Sequence, residues 1–117
     1  MSLPSEDRDL DRVRDMLAYA ERALEHVATL DEAAFRRSRL HQDAVVRAVM
    51  VMGEAAYRTT PAFRAMHSDL PWQEVIRMRH KLVHDYGEIS LTIVWETVRD
   101  DLPPLLPVLK AILQKPG

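Results

Sequence analysis

Apolar residues in this chain recur at steps of three and four, the spacing of one face of an α-helix. Near the start, Leu10, Val13, Leu17, Ala20, Leu24 and Val27 form such a stripe, and Arg8, Asp11, Arg12, Asp15, Arg22 and Glu25 occupy the other side. The pattern predicts an amphipathic helix with one wet face. Its start falls after Ser5, a good N-cap, with Glu6 and Asp7 in the first turn at the positive end of the helix dipole. Asp31 is then placed to cap a short turn of helix over residues 32–37.

A different pattern covers residues 39–58. At about 100° per residue, Ala44, Val45, Ala48, Val49, Met52, Ala55 and Ala56 fill one side, and Val46, Met50, Gly53 and Tyr57 fill a second. Only a narrow strip of Arg47, Glu54 and Arg58 remains polar. A helix apolar over most of its circumference is central in its bundle or covered on two sides. Gly53 within it permits close approach of another helix or chain. Residues 59–70 predict a short helix and loop, with Pro61 at an early helical position. Pro71 opens a further long helix over residues 72–86, stopped by Gly87. Ser90 can cap the last helix, in which Leu91, Val94, Trp95, Val98, Leu102, Leu105, Leu109 and Ile112 keep one register. Pro103, Pro104 and Pro107 must break or kink it, since each lacks a backbone donor. The expected fold is all-α, an antiparallel bundle of four or five helices forming one domain over residues 1–117.

Composition narrows the classes of function. A chain of 117 residues holds one core and not two. It has no cysteine, so disulfides and thiolate metal sites are excluded. No run approaches the roughly 18 apolar residues of a membrane span. The first residues are acidic and polar where a secretory signal would be basic and then apolar, so a cytoplasmic location is expected. The formal net charge of −2 carries no global signature of a polyphosphate binder. If the protein handles RNA, it does so through a local positive site.

Residues 72–86 are where such a site is expected. With Arg79 at zero on the helical wheel, Trp72, Val75, Ile76, Leu82, Val83 and Tyr86 all fall within about 60° of it. An arginine in the middle of an apolar stripe needs an anion or a cleft, because an unpaired buried charge is costly. His80 and His84 flank that stripe on one side, and Tyr86 returns to the arginine's face two turns on, its ring leaning back toward Arg79. Arg77 and Lys81 add local positive charge. Two readings of Arg79 stand open: a structural ion pair with Glu54, or a cation for a bound phosphate that Glu54 orients. The spacing of His80 and His84 would also suit a zinc site, but no third ligand is evident, so no metal and no cofactor are expected. Arg36, Arg37 and Arg39 are expected on a solvated face, with contact to RNA as the alternative, and Trp72 and Trp95 in the core.

The run Arg79-His80-Lys81-Leu82-Val83-His84-Asp85-Tyr86 resembles the Arg, four residues, His, one residue, Tyr motif of the HepT-like branch of the HEPN superfamily. The similarity extends to Asp43-Ala44-Val45-Val46-Arg47 leading to Gly53-Glu54-Ala55, to Leu70-Pro71-Trp72, and to Val94-Trp95 followed by Asp101-Leu102-Pro103. His80 stands where these proteins commonly carry Asn. The resemblance implies a metal-independent endoribonuclease toxin acting as a homodimer, the two motifs meeting across the interface. It also implies a cognate antitoxin, a minimal nucleotidyltransferase that uses ATP to add AMP to the motif tyrosine, here Tyr86. The residue chemistry agrees with that reading. An imidazole with an ordinary pKa near 6.5 suits proton transfer, which assigns His84. A planar guanidinium grips phosphate through two donors, which assigns Arg79. His80 and Glu54 are supporting residues. A second reading, from another class, is a non-catalytic helical module that presents a substrate to a nucleotidyltransferase.

Overall fold

The computed structural model describes residues 4–84 and 90–114, and among these every regular element is helical. Helix α1 spans Pro4–Val27, α2 Glu32–Arg36, α3 Arg39–Tyr57, α4 Pro61–Met66, α5 Trp72–His84, α6 Leu91–Glu96 and α7 Leu105–Gln114. A single π turn, Thr97–Asp101, continues α6. The expected all-α bundle is therefore present. Ser5 lies inside α1 and not at its cap.

Helix α1 packs along α3 and α7, and α3 packs in turn against α5. The buried line of α1 is Val13, Met16, Ala20, Ala23 and Val27, with Asp9 at its head. The leucines of the predicted stripe, Leu10, Leu17 and Leu24, sit at its border, only partly buried. Small and unbranched residues lie at the centre because α3 presses close there, with Val45, Ala48, Val49, Met52, Ala55 and Ala56 on its own buried face.

Two corners fix how α3 and α5 meet. At the end of α3, the buried Asp9 carboxylate accepts from the Thr60 backbone N–H at 2.9 Å and its hydroxyl at 2.7 Å, so the buried charge is solvated by the chain itself. Thr60 caps α4, with Pro61 in the first turn. Arg64 donates to the Thr59 carbonyl at 2.7 Å and reaches those of Tyr57 and Ala56, occupying carbonyls that a helix end leaves without partners. Phe63 meets Trp72 edge-on at 6.1 Å, and Trp72 Nε1 donates to the His67 carbonyl at 2.8 Å. Helix α5 thus departs from the corner where α3 ends.

The second corner lies at the other end of α3. Asp31 caps α2 as expected, accepting from the Ala34 N–H at 2.8 Å. Arg36 of α2 donates to the Thr92 hydroxyl of α6, and the Phe35 ring packs against Trp95 at 5.3 Å, tilted by 38°. The chain therefore returns to the start of α3 after α5, and the two helices run antiparallel.

Prolines divide the last predicted helix as expected, but not at every position. Pro103 and Pro104 fall in the break before α7, whereas Pro107 is accommodated in its first turn, where its missing N–H removes no intrahelical bond. The π turn was not expected. Leu102 N–H bonds the Thr97 carbonyl at 3.0 Å, five residues back. The two prolines that follow cannot donate to the carbonyls of Arg99 and Asp100, four residues back within this turn.

Candidate functional site

The seam between α3 and α5 is set by one glycine. A Cβ placed on Gly53 would stand 2.1 Å from Arg79 Cβ and 3.2 Å from its Cα. The absent side chain is what lets the backbone of α3 lie against the root of Arg79. The rest of the arginine then runs outward along the seam and does not enter the core. Its side chain retains 28% exposure, inside an otherwise apolar face where Trp72, Val75 and Leu82 are buried.

Glu54, the next residue on α3, meets the guanidinium. Arg79 Nη2 lies 2.8 Å from Glu54 Oε2, and Arg58 Nε donates to Oε1 at 2.7 Å. Oε2 is buried and accepts no aligned hydrogen bond, so the Arg79 contact is one of charge at short range. A guanidinium in that pose keeps donors free to aim elsewhere. The Tyr57 ring lies 5.7 Å from Arg79 Cζ, close enough for a cation–π contact, and Tyr57 is itself 58% exposed. Two arginines share one carboxylate, so the cluster carries one net positive charge.

Arg79 and Glu54 are thus brought together in the ion pair that one of the two open readings expected, and the arginine keeps part of its side chain exposed. His80 is exposed, one residue on along α5. His84 is the last residue of α5, its side chain outside the described residues, as are Tyr86 and the stop at Gly87. Tyr57 was expected only as part of an apolar face. The signal that it belongs to the site was its position four residues beyond Gly53, one turn along the seam.

One expectation about charge is revised. Arg77 and Lys81 line a cleft of about 500 Å³ between α5 and the π turn, which Glu74, Asp100 and Asp101 also line. Carboxylates across that cleft offset their charge, so these two cations do not simply add to the field of Arg79. Among the described residues, no three His, Asp or Glu side chains gather where they could hold a metal ion.

Comparison with known proteins places this geometry in a family. The sequence profile described as ribonuclease HepT-like matches residues 16–112. A protein of Caldanaerobacter subterraneus subsp. tengcongensis named as an RNase is 35% identical over 100 residues, covering 86% of this chain and 89% of the relative. A ribonuclease HepT by name, from Thermococcus cleftensis, is 41% identical over 64 residues, covering 55% of this chain and 58% of the relative. A Methanocaldococcus jannaschii protein also named as an RNase is 30% identical over 91 residues, covering 78% of this chain and 84% of the relative. No solved structure matches.

Proposed function

Because the chain belongs to the HepT-like ribonuclease family, we propose that it is a metal-independent endoribonuclease that acts as a toxin and is silenced by a nucleotidyltransferase partner. The observation that carries this reading is Arg79, a cation at the edge of the core, paired to Glu54 yet open to solvent. That opening lets an arginine already braced by a carboxylate also meet a phosphate from solvent.

In the proposed reaction a base takes the proton of a ribose 2′-OH, and the oxygen attacks the adjacent phosphorus. The bond to the 5′-oxygen breaks, and that oxygen takes a proton. The products are a 2′,3′-cyclic phosphate and a 5′-hydroxyl. His84 performs a proton transfer, Arg79 neutralises the non-bridging oxygens, and Glu54 holds Arg79 in place while His80 supports the site from the exposed side. One motif offers one such imidazole at the end of α5, so two chains are proposed to meet there as a homodimer and supply both transfers.

Control is proposed to act through Tyr86. Its phenol oxygen attacks the α-phosphate of ATP, pyrophosphate leaves, and the tyrosine seven residues after Arg79 in the sequence carries a negatively charged phosphodiester that competes with substrate phosphate for the arginine. The test of the catalytic core is direct. Purified protein in EDTA should cut total RNA to products with cyclic phosphate ends, and Arg79→Ala or His84→Ala should lower the rate by about 10²-fold or more. A folded His84→Ala protein that cuts at the wild-type rate overturns the mechanism. No cutting by wild type at all would favour the substrate-presenting module instead.

A further inference from the structure

We propose that Arg47, and beyond it Arg39, form a track on the outer face of α3 that binds phosphates of the RNA strand flanking the cut. The inference rests on the ribonuclease reading and adds the residues that hold the substrate away from the reacting atoms. Arg47 lies seven residues before Glu54, two turns of α3, on the same face and about 10 Å along the axis. Since α5 runs antiparallel to α3 and Arg79 lies against Gly53, that displacement carries Arg47 toward the end of α5, the end that bears His84. Arg39 lies about 12 Å further on, at the start of α3.

Their state of pairing separates these arginines from the others nearby. Arg58 and Arg79 share Glu54, Arg64 is spent on the carbonyls that end α3, and Arg36 is held by Glu32 and Thr92. Arg47 and Arg39 are exposed, and neither pairs with a carboxylate among the described residues. Asp43 stands one turn from each, a spacing that supports ion pairs on helices, yet it engages neither. It lowers the potential of the track but leaves it with one net positive charge. A chain with net charge −2 has little long-range attraction for RNA, so grip on the strand must come from local cations. Arg77 and Lys81 face carboxylates across their cleft. The α3 face has fewer acids, and from Arg79 to Arg47 it spans roughly two to three nucleotides of a single strand.

The test compares wild type, Arg47→Ala, Arg47→Lys and Arg39→Ala on single-stranded oligoribonucleotides of two lengths, one a dinucleotide and one of about twelve residues. On the longer substrate Arg47→Ala should raise KM about tenfold, as expected for losing a charge-assisted contact, and leave kcat unchanged. The salt dependence of binding should become shallower by about 0.7 in log–log slope for each cation removed. Arg47→Lys should recover most of the loss. On the dinucleotide, too short to reach Arg47, the variants should match wild type. Equal KM and salt slope for Arg47→Ala and wild type on the long substrate overturn the proposal while leaving the ribonuclease reading intact. A wild type that binds the strand without cutting it leaves affinity and salt slope to decide the same comparison. Failure of wild type to bind or cut any strand overturns both.

Discussion

At the scale of single residues, the molecule turns on how Arg79 is held. Glu54 is shared between Arg58 and Arg79, so replacing it tests whether the carboxylate positions the arginine or only braces α3. Glu54→Gln keeps the shape and an acceptor for Arg58 but removes the charge that draws Arg79. We expect kcat to fall about tenfold, the scale of a weakened charge clamp, with melting temperature and helical content nearly unchanged. Unchanged cleavage would reduce Glu54 to a structural ion pair. Tyr86 tests the other half of the proposal. In the proposed scheme its phenol takes no part in the proton transfers, so Tyr86→Phe should cut RNA at the wild-type rate and escape silencing by the proposed nucleotidyltransferase with ATP. Mass spectrometry should find AMP on wild type and none on the variant. AMP on Tyr57, the exposed tyrosine beside Arg79, would move the regulatory site to α3.

At the scale of elements, Gly53→Ala sets two known effects against each other. Alanine improves helix propensity by about 1 kcal/mol over glycine. The new methyl, however, meets Arg79 Cβ at 2.1 Å, and a Cβ cannot swing away as the end of a long side chain can. Relief requires α3 and α5 to move apart, an overpacking cost of about 1–3 kcal/mol. We expect the clash to win, lowering the melting temperature by roughly 5 °C and cleavage with it, because Arg79 moves with α5. A variant more stable than wild type would mean that the seam is loose. The same seam shows what was legible in the sequence. Gly53 inside an apolar helix, Arg79 inside an apolar stripe and Glu54 on a polar strip each pointed to a close crossing with an ion pair at its edge. Local periodicity carries that information, since each residue's face is fixed by its own helix. Contacts between distant elements were not legible: Asp9 with Thr60, Arg64 over the end of α3, and Tyr57 beneath Arg79 depend on which ends meet. Nor was the π turn just before Pro103 and Pro104, a feature of the backbone that side-chain spacing does not record. In α1 the stripe was read correctly at Val13, Ala20 and Val27, but Leu10, Leu17 and Leu24 each lie one position from the buried line that Asp9, Met16 and Ala23 occupy.

At the scale of the whole molecule, the question is how a chain of net charge −2 with one proposed catalytic imidazole per motif would carry out the proposed reaction, which needs two proton transfers. The proposed homodimer answers both parts, bringing two Arg79 guanidinium groups and two α5 ends to one place. Tyr57, with more than half its surface exposed beside Arg79, gives that region an apolar surface for a second chain to cover. Mass alone is a weak test, since a dimer could form through another face. A mixing experiment asks the sharper question of whether each site draws on both chains. His84→Ala alone is expected to be nearly inactive, so wild type is mixed with an equal amount of it and the chains are allowed to reassociate. If one reaction uses the His84 of both chains, every mixed dimer is inactive. Random reassociation leaves a quarter of the dimers wild type, so activity should fall to roughly a quarter of that of the same amount of wild type. If each reaction uses one His84, half the sites stay intact and activity should fall only to about half. A fall to a quarter, with light scattering showing a dimer before and after, would establish the shared site; a fall to half would require the second proton transfer from another group, for which exposed His80 on α5 is the candidate.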